Sequence, residues 1–164
     1  MNISATGGMK YSDYLGNGLS LESYYFRGEY THGLFIADRL TFDILAGVAL
    51  SASPGYYGYI VLDGGGGIGL TYYFAEKGFI PYLSVSVQAD YGFLFTSKIS
   101  RFILSPQISG GFLIEMWNKF YLNLKVSSSY AYTREFDAAV LYSQSHVIMA
   151  NLYLGISIFI EKAK

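Results

Sequence analysis

Hydrophobic and polar residues alternate with a period of two along nearly the whole chain. In residues 83–93, Leu83, Val85, Val87, Ala89, Tyr91 and Phe93 fall on one side, and Ser84, Ser86, Gln88, Asp90 and Gly92 on the other. Side chains of a strand point alternately to its two faces, so this pattern predicts a strand with one apolar and one polar face. The same reading gives seven more strands, at residues 3–11, 22–36, 40–52, 65–74, 102–116, 120–133 and 147–160. Two places strain it. Pro106 falls inside the sixth segment, where it cannot donate to a ladder, and requires a bulge or a later start. Gly64 to Gly67 is a poor strand opening and reads as a flexible loop before a strand with a small inner face.

The connections alternate in length. Short ones are predicted at 37–39, 75–78 and 117–119, and longer ones at 12–21, 53–64, 96–101 and 134–145. Eight strands with this rhythm place both chain ends on the short-turn side. The fold class that follows is all-β: an eight-stranded antiparallel up-and-down transmembrane β-barrel, one domain over residues 1–164, with short periplasmic turns and longer outer loops.

Composition decides which face meets what. Hydrophobic residues make up 52% of the chain and charged residues 14%, with 17 Tyr, 12 Phe and 19 Gly. An eight-stranded interior is just wide enough to be filled by side chains. The apolar faces carry too much Leu, Ile, Phe and Tyr to fit inside, whereas Gly, Ser, Thr and Ala on the polar faces do fit. With 11 basic and 12 acidic residues, there are too few charges to solvate an outer surface. The apolar faces are therefore expected to meet lipid. No apolar run approaches the roughly 20 residues of a transmembrane helix, and a closed barrel satisfies strand backbone groups in a bilayer. Residues 1–4 show neither a basic head nor an apolar core, and Met1 reads as a start placed on a mature chain.

Aromatic residues gather towards the strand ends. Tyr72, Phe74, Phe79, Trp117 and Phe120 lie beside short turns, and Phe26, Tyr91, Phe93, Phe95, Tyr130 and Tyr132 towards the long connections. Such placement predicts an aromatic girdle at each membrane interface.

The last strand carries a further pattern. In residues 153–160, Tyr153, then Gly155, then Ile158 and Ile160 at alternate positions resemble the terminal assembly signal of outer-membrane barrels. The four residues Glu161-Lys162-Ala163-Lys164 that follow depart from the usual aromatic end. With the hairpin rhythm, the chain resembles small eight-stranded outer-membrane barrels of the OmpX, OmpW and opacity-protein type. That resemblance implies the bacterial outer membrane, with the lipid bilayer and the outer-membrane assembly machinery as partners.

Candidate chemistry is sparse. The inward faces are expected to carry Lys10, Arg27, Glu29, Asp43, Asp90, Glu115 and Lys125, either as an ion path or as a structural network that plugs the bore. The plug is favoured because unpaired buried charge is costly. Tyr25, Tyr73, Tyr121 and Tyr153 are expected to help fill it. There are two histidines, His32 and His146. His146 with Ser145, Glu135 and Asp137 could supply parts of a nucleophile–base set, but the His-x-Ser spacing of lipid A deacylase barrels is absent. The run Gly64 to Gly67, then Gly69, lacks the Lys-Ser/Thr of a phosphate loop. With no cysteine, thiolate metal sites and disulfides are excluded. No catalytic, metal or cofactor site is expected, and a net charge of −1 gives no reason to expect nucleic acid. Tyr14, Tyr56, Tyr57, Tyr59, Phe136 and Tyr142 in the long connections suit contact with a protein partner. The expected role is a structural or binding surface barrel, against an outer-leaflet lipid-modifying enzyme or a narrow channel.

Overall fold

A computed structural model describes residues 2–13, 20–53, 59–95, 99–117, 119–137 and 140–158, with side chains described for 26–52, 60–95, 99–117, 119–137 and 143–158. Eight strands follow one another: β1 (Asn2–Asp13), β2 (Ser20–Ala37), β3 (Leu40–Ser53), β4 (Tyr59–Tyr73), β5 (Phe79–Leu94), β6 (Ile99–Trp117), β7 (Phe120–Asp137) and β8 (Val140–Ile158). Each pairs antiparallel with the next, and β1 returns to β8 through four residue pairs, closing a barrel.

The register sets the tilt. From Ile3 the ladder runs through Tyr30, Ala46, Gly66, Ala89, Leu104 and Tyr132 to His146. Ile3 itself pairs with Ile156 across the seam, so one circuit displaces the register by ten residues (156 less 146). Stagger and strand tilt are linked in a closed barrel.

The expected alternation holds. Outward positions are apolar and exposed, among them Ile44, Ile68, Val85, Ile108, Val126, Leu152 and Ile156. Inward positions on β7 read Asn123, Lys125, Ser127 and Ser129, all buried. The aromatic pairs at the short-turn end include Phe79 stacked on Phe112 at 4.8 Å and Trp117 beside Phe120 at 5.5 Å.

Strand limits differ from the expectation in an informative way. β4 begins at Tyr59, so Gly64 to Gly67 lie inside a strand and not in a loop. β7 and β8 continue to Asp137 and from Val140, so most of the expected long connection at 134–145 is ladder. Backbone pairing does not stop where side-chain alternation weakens, because each N–H and C=O still needs a partner. Pro106 stays within β6. It faces outward opposite Val87 of β5, and the β6–β7 ladder skips Ser105 and Pro106 between Leu104 and Gln107. The missing donor thus falls on the side facing β7.

Candidate functional site

The inner wall of the barrel holds charge in layers. In the middle layer, Arg27 of β2 donates from Nη1 to Asp90 Oδ2 at 2.9 Å and from Nη2 to Gln88 Oε1 at 2.7 Å. Gln88 Nε2 donates to Glu29 Oε2 at 3.0 Å. Lys125 Nζ, from β7 across the bore, donates to Glu29 Oε1 at 2.7 Å and lies 4.1 Å from the centre of the Tyr153 ring. Two cations and two carboxylates, all buried, neutralise one another here. Hydrogen bonds to the charged atoms offset the large cost of taking such groups out of water.

Glycines make these reaches possible. Glu29, Gly47, Gly65 and Asp90 occupy one ladder row on four successive strands. A Cβ on Gly47 would stand 2.7 Å from Arg27 Nη2, and one on Gly65 2.6 Å from Asp90 Oδ1. The arginine therefore passes over bare backbone on β3 and β4 to reach β5. The device recurs. Asp63 of β4 and Arg101 of β6 flank Gly92 of β5 in one row, and Arg101 Nε donates to Asp63 Oδ1 at 2.7 Å. Tyr82 of β5 crosses Gly111 of β6, and its hydroxyl donates to Asn123 Oδ1 on β7 at 2.7 Å. Arg27, Arg101 and Tyr82 each span an intervening strand at a glycine.

Towards the short turns lies a cavity of about 830 Å³, lined in part by Thr31, Thr41, Asp43, Ser84, Ser109 and Asn123. The Asp43 carboxylate accepts from the Thr71 hydroxyl at 2.5 Å. Ile80, Tyr82, Leu113 and Tyr121 pack together near this end, with Tyr73 against them.

The structure thus brings together Arg27, Glu29, Asp90 and Lys125, and sets Asp43 nearer the turns. Glu115 is a correction. It is exposed at the foot of β6, two residues past the packed Leu113, and accepts a hydrogen bond from the Gly78 backbone N–H at 3.2 Å. Parity pointed it inward, but β6 there has passed the closed part of the bore and reached the neighbouring turn. Lys10 lies on β1 opposite Ser23, with its side chain outside the described residues, as is that of Tyr25. Tyr73, Tyr121 and Tyr153 point inward as expected. Of the terminal pattern, Tyr153, Gly155 and Ile158 lie on β8, and Ile160 is outside the described residues.

Gln88, Asp63 and Arg101 carry polar contacts in the bore that the sequence pattern does not single out, and the last two fall in segments that read as loops. Their signal was parity: Asp63 shares a face with Gly65, Gly67, Gly69 and Thr71. Tyr14, Tyr56 and Tyr57 lie outside the described residues. Tyr59, Phe136 and Tyr142 belong to strands β4, β7 and β8, not to loops.

The two histidines considered for the alternative, enzymatic reading both lie on the outer face. His32 faces outward, stacked near Tyr30. His146 also faces outward, between the rings of Tyr130 and Tyr132. Ser145 pairs with Thr133 in the ladder, and Glu135 accepts from the Ser143 hydroxyl at 2.7 Å.

No protein-family model and no curated protein matches this chain. Solved structures do. The outer membrane enzyme PagL is similar at 11% identity and TM-score 0.54, over 96% of this chain and 99% of that one. Neisserial surface protein A matches at 13% identity and TM-score 0.58, over 96% and 94%. The outer membrane protein AlkL, solved in lipid bilayers, matches at 16% identity and TM-score 0.54, over 99% and 92%. At such identities the likeness concerns the fold: this chain has the fold of small eight-stranded outer-membrane barrels.

Proposed function

We propose that this chain is a bacterial outer-membrane barrel with a closed bore, serving as a structural or binding scaffold that presents its outer rim to a partner. The observation that carries the reading is the Lys125–Glu29 bond, which crosses the bore from β7 to β2. With Arg27, Gln88 and Asp90 tied to the same layer, it joins polar side chains of opposite walls across the bore. The apolar outer wall supports placement in a bilayer. Among the described residues, β7 and β8 carry the ladder up to Asp137 and Val140, so strand ends form part of the rim that a partner would meet.

Two measurements test this. Reconstituted protein in a planar bilayer should show no stable large unitary conductance, and such a conductance would overturn the closed-bore reading. An epitope tag inserted between Asp137 and Val140 should be reached by antibody on intact cells. A tag detected only after permeabilisation would reverse the orientation.

A further inference from the structure

Among the described residues, the outer wall of β7 and β8 carries a polar cluster that a lipid-facing surface does not require. The four arginines of the chain are Arg27, Arg39, Arg101 and Arg134. The first three each pair with a carboxylate: Asp90, Glu76 and Asp63. Arg134 faces outward on β7 and has no carboxylate partner among the described residues. It is held in place instead. Its Nε donates to the Tyr132 hydroxyl at 2.5 Å, and its guanidinium lies 5.2 Å from the centre of the Tyr132 ring.

The neighbours turn the same way. Tyr132 pairs with His146 and Arg134 with Gln144, all exposed or half-exposed. The Tyr132 hydroxyl donates to Gln144 Oε1 at 3.5 Å, which leaves the amide N–H groups as donors. The Tyr130 hydroxyl meets His146 Nδ1. The donors left over in the cluster are the two Nη groups of Arg134 and the Gln144 amide N–H groups, with the His146 ring beside them. Donors around one positive charge select an anion, and a planar guanidinium matches the oxygens of a phosphate.

The level of the cluster says which phosphate. Outward positions of β8 from Ile158 up to Ile148 are apolar, and ten residues of tilted strand give a band of about 25 Å. Gln144 and His146 stand immediately above it. A phosphate held there would leave acyl chains lying down the wall over Ile148 and Leu152, which are 79% and 69% exposed.

We propose that Arg134, Gln144 and His146, set by Tyr130 and Tyr132, form a clamp for the phosphate of an outer-leaflet lipid headgroup. The inference rests on the membrane placement argued above. The test is native mass spectrometry of detergent-purified protein with diphosphoryl lipid A, its dephosphorylated form, or inorganic phosphate. Wild type should retain the diphosphoryl form, and Arg134→Gln should lower retention by about tenfold, the effect of losing one charged hydrogen-bonded contact. Arg39→Gln, at the short-turn end, should leave retention unchanged. Equal retention by wild type and Arg134→Gln, or by the two lipid forms, would overturn the clamp. Inorganic phosphate that binds alone and displaces the lipid would overturn the lipid assignment in favour of a free-anion site. Gel mobility with and without heating, on the same samples, separates the failures. A chain that never forms a heat-modifiable barrel overturns the membrane reading and the clamp together, whereas a folded barrel without phosphate preference overturns the clamp alone.

Discussion

Arg27 and Arg134 stand on opposite faces of the same barrel wall, and their surroundings are built to opposite ends. Arg27 is buried, and Asp90, Gln88 and Glu29 gather round it from two strands, with two glycines cleared from its path. Arg134 is exposed, held by one tyrosine, and its Nη groups meet no acidic partner among the described residues. Burial forces the first arginine to be neutralised within the fold, because an unpaired charge in the bore would cost several kcal/mol. The second sits where headgroups and water can serve it, so the fold need only aim it. The contrast separates groups that stabilise the barrel from groups that the barrel offers to something else.

That contrast can be broken most severely from the inside. Glu29→Leu should destabilise the barrel by about 3–5 kcal/mol, since it strands Lys125 and leaves Gln88 and Arg27 with fewer acceptors. Urea unfolding in lipid vesicles measures this, and the double variant Glu29→Leu, Lys125→Met should recover part of the loss. A Glu29→Leu barrel as stable as wild type would mean the network is not what fills the bore.

Next in size is the lipid side. Leu124 faces outward between Phe112 and Leu154. Leu124→Arg should cost about 2–4 kcal/mol in the same vesicle assay, as a charge near the bilayer midplane does. Ser127→Thr, on the inner face, should cost less. The reverse order would show that inside and outside have been exchanged.

A subtler change tests the cleared path. Gly65→Ala places a Cβ 2.1 Å from the Ala89 carbonyl oxygen, so backbone must move, at about 1–3 kcal/mol of overpacking. Gly28→Ala, where a Cβ meets nothing within 4 Å, should be close to neutral. Equal effects at the two sites would remove the steric role assigned to the glycine row.

The smallest expected stability effect is at the outer cluster. Arg134→Gln loses an exposed stacking contact and one hydrogen bond to tyrosine, about 0.5–1 kcal/mol. Unfolding should barely register it, while lipid retention changes markedly. A loss comparable to that of Glu29→Leu would recast Arg134 as a structural residue.

Much of this molecule was readable from its residues in order. Period-two alternation, applied eight times, yields the strands, and the bulk of the apolar faces turns them outward, because an eight-stranded bore cannot hold so much Leu, Ile and Phe. It also placed Arg27, Glu29, Asp90 and Lys125 on the inner face, since parity is a local property. Partnership is not local. Lys125 and Glu29 are 96 positions apart, and only the ten-residue stagger of the closed sheet brings them to one level. The register of β2 to β5 aligns Gly47 and Gly65 beneath Arg27, which turned an apparent loop into the wall a long side chain must cross. Glu115, inward by parity, lies outside the bore because height along the barrel axis depends on the register of every strand before it. Alternation thus determined which way each side chain points. Tertiary closure decided what it meets there, because contact across a barrel depends on accumulated register, which no single stretch of sequence carries.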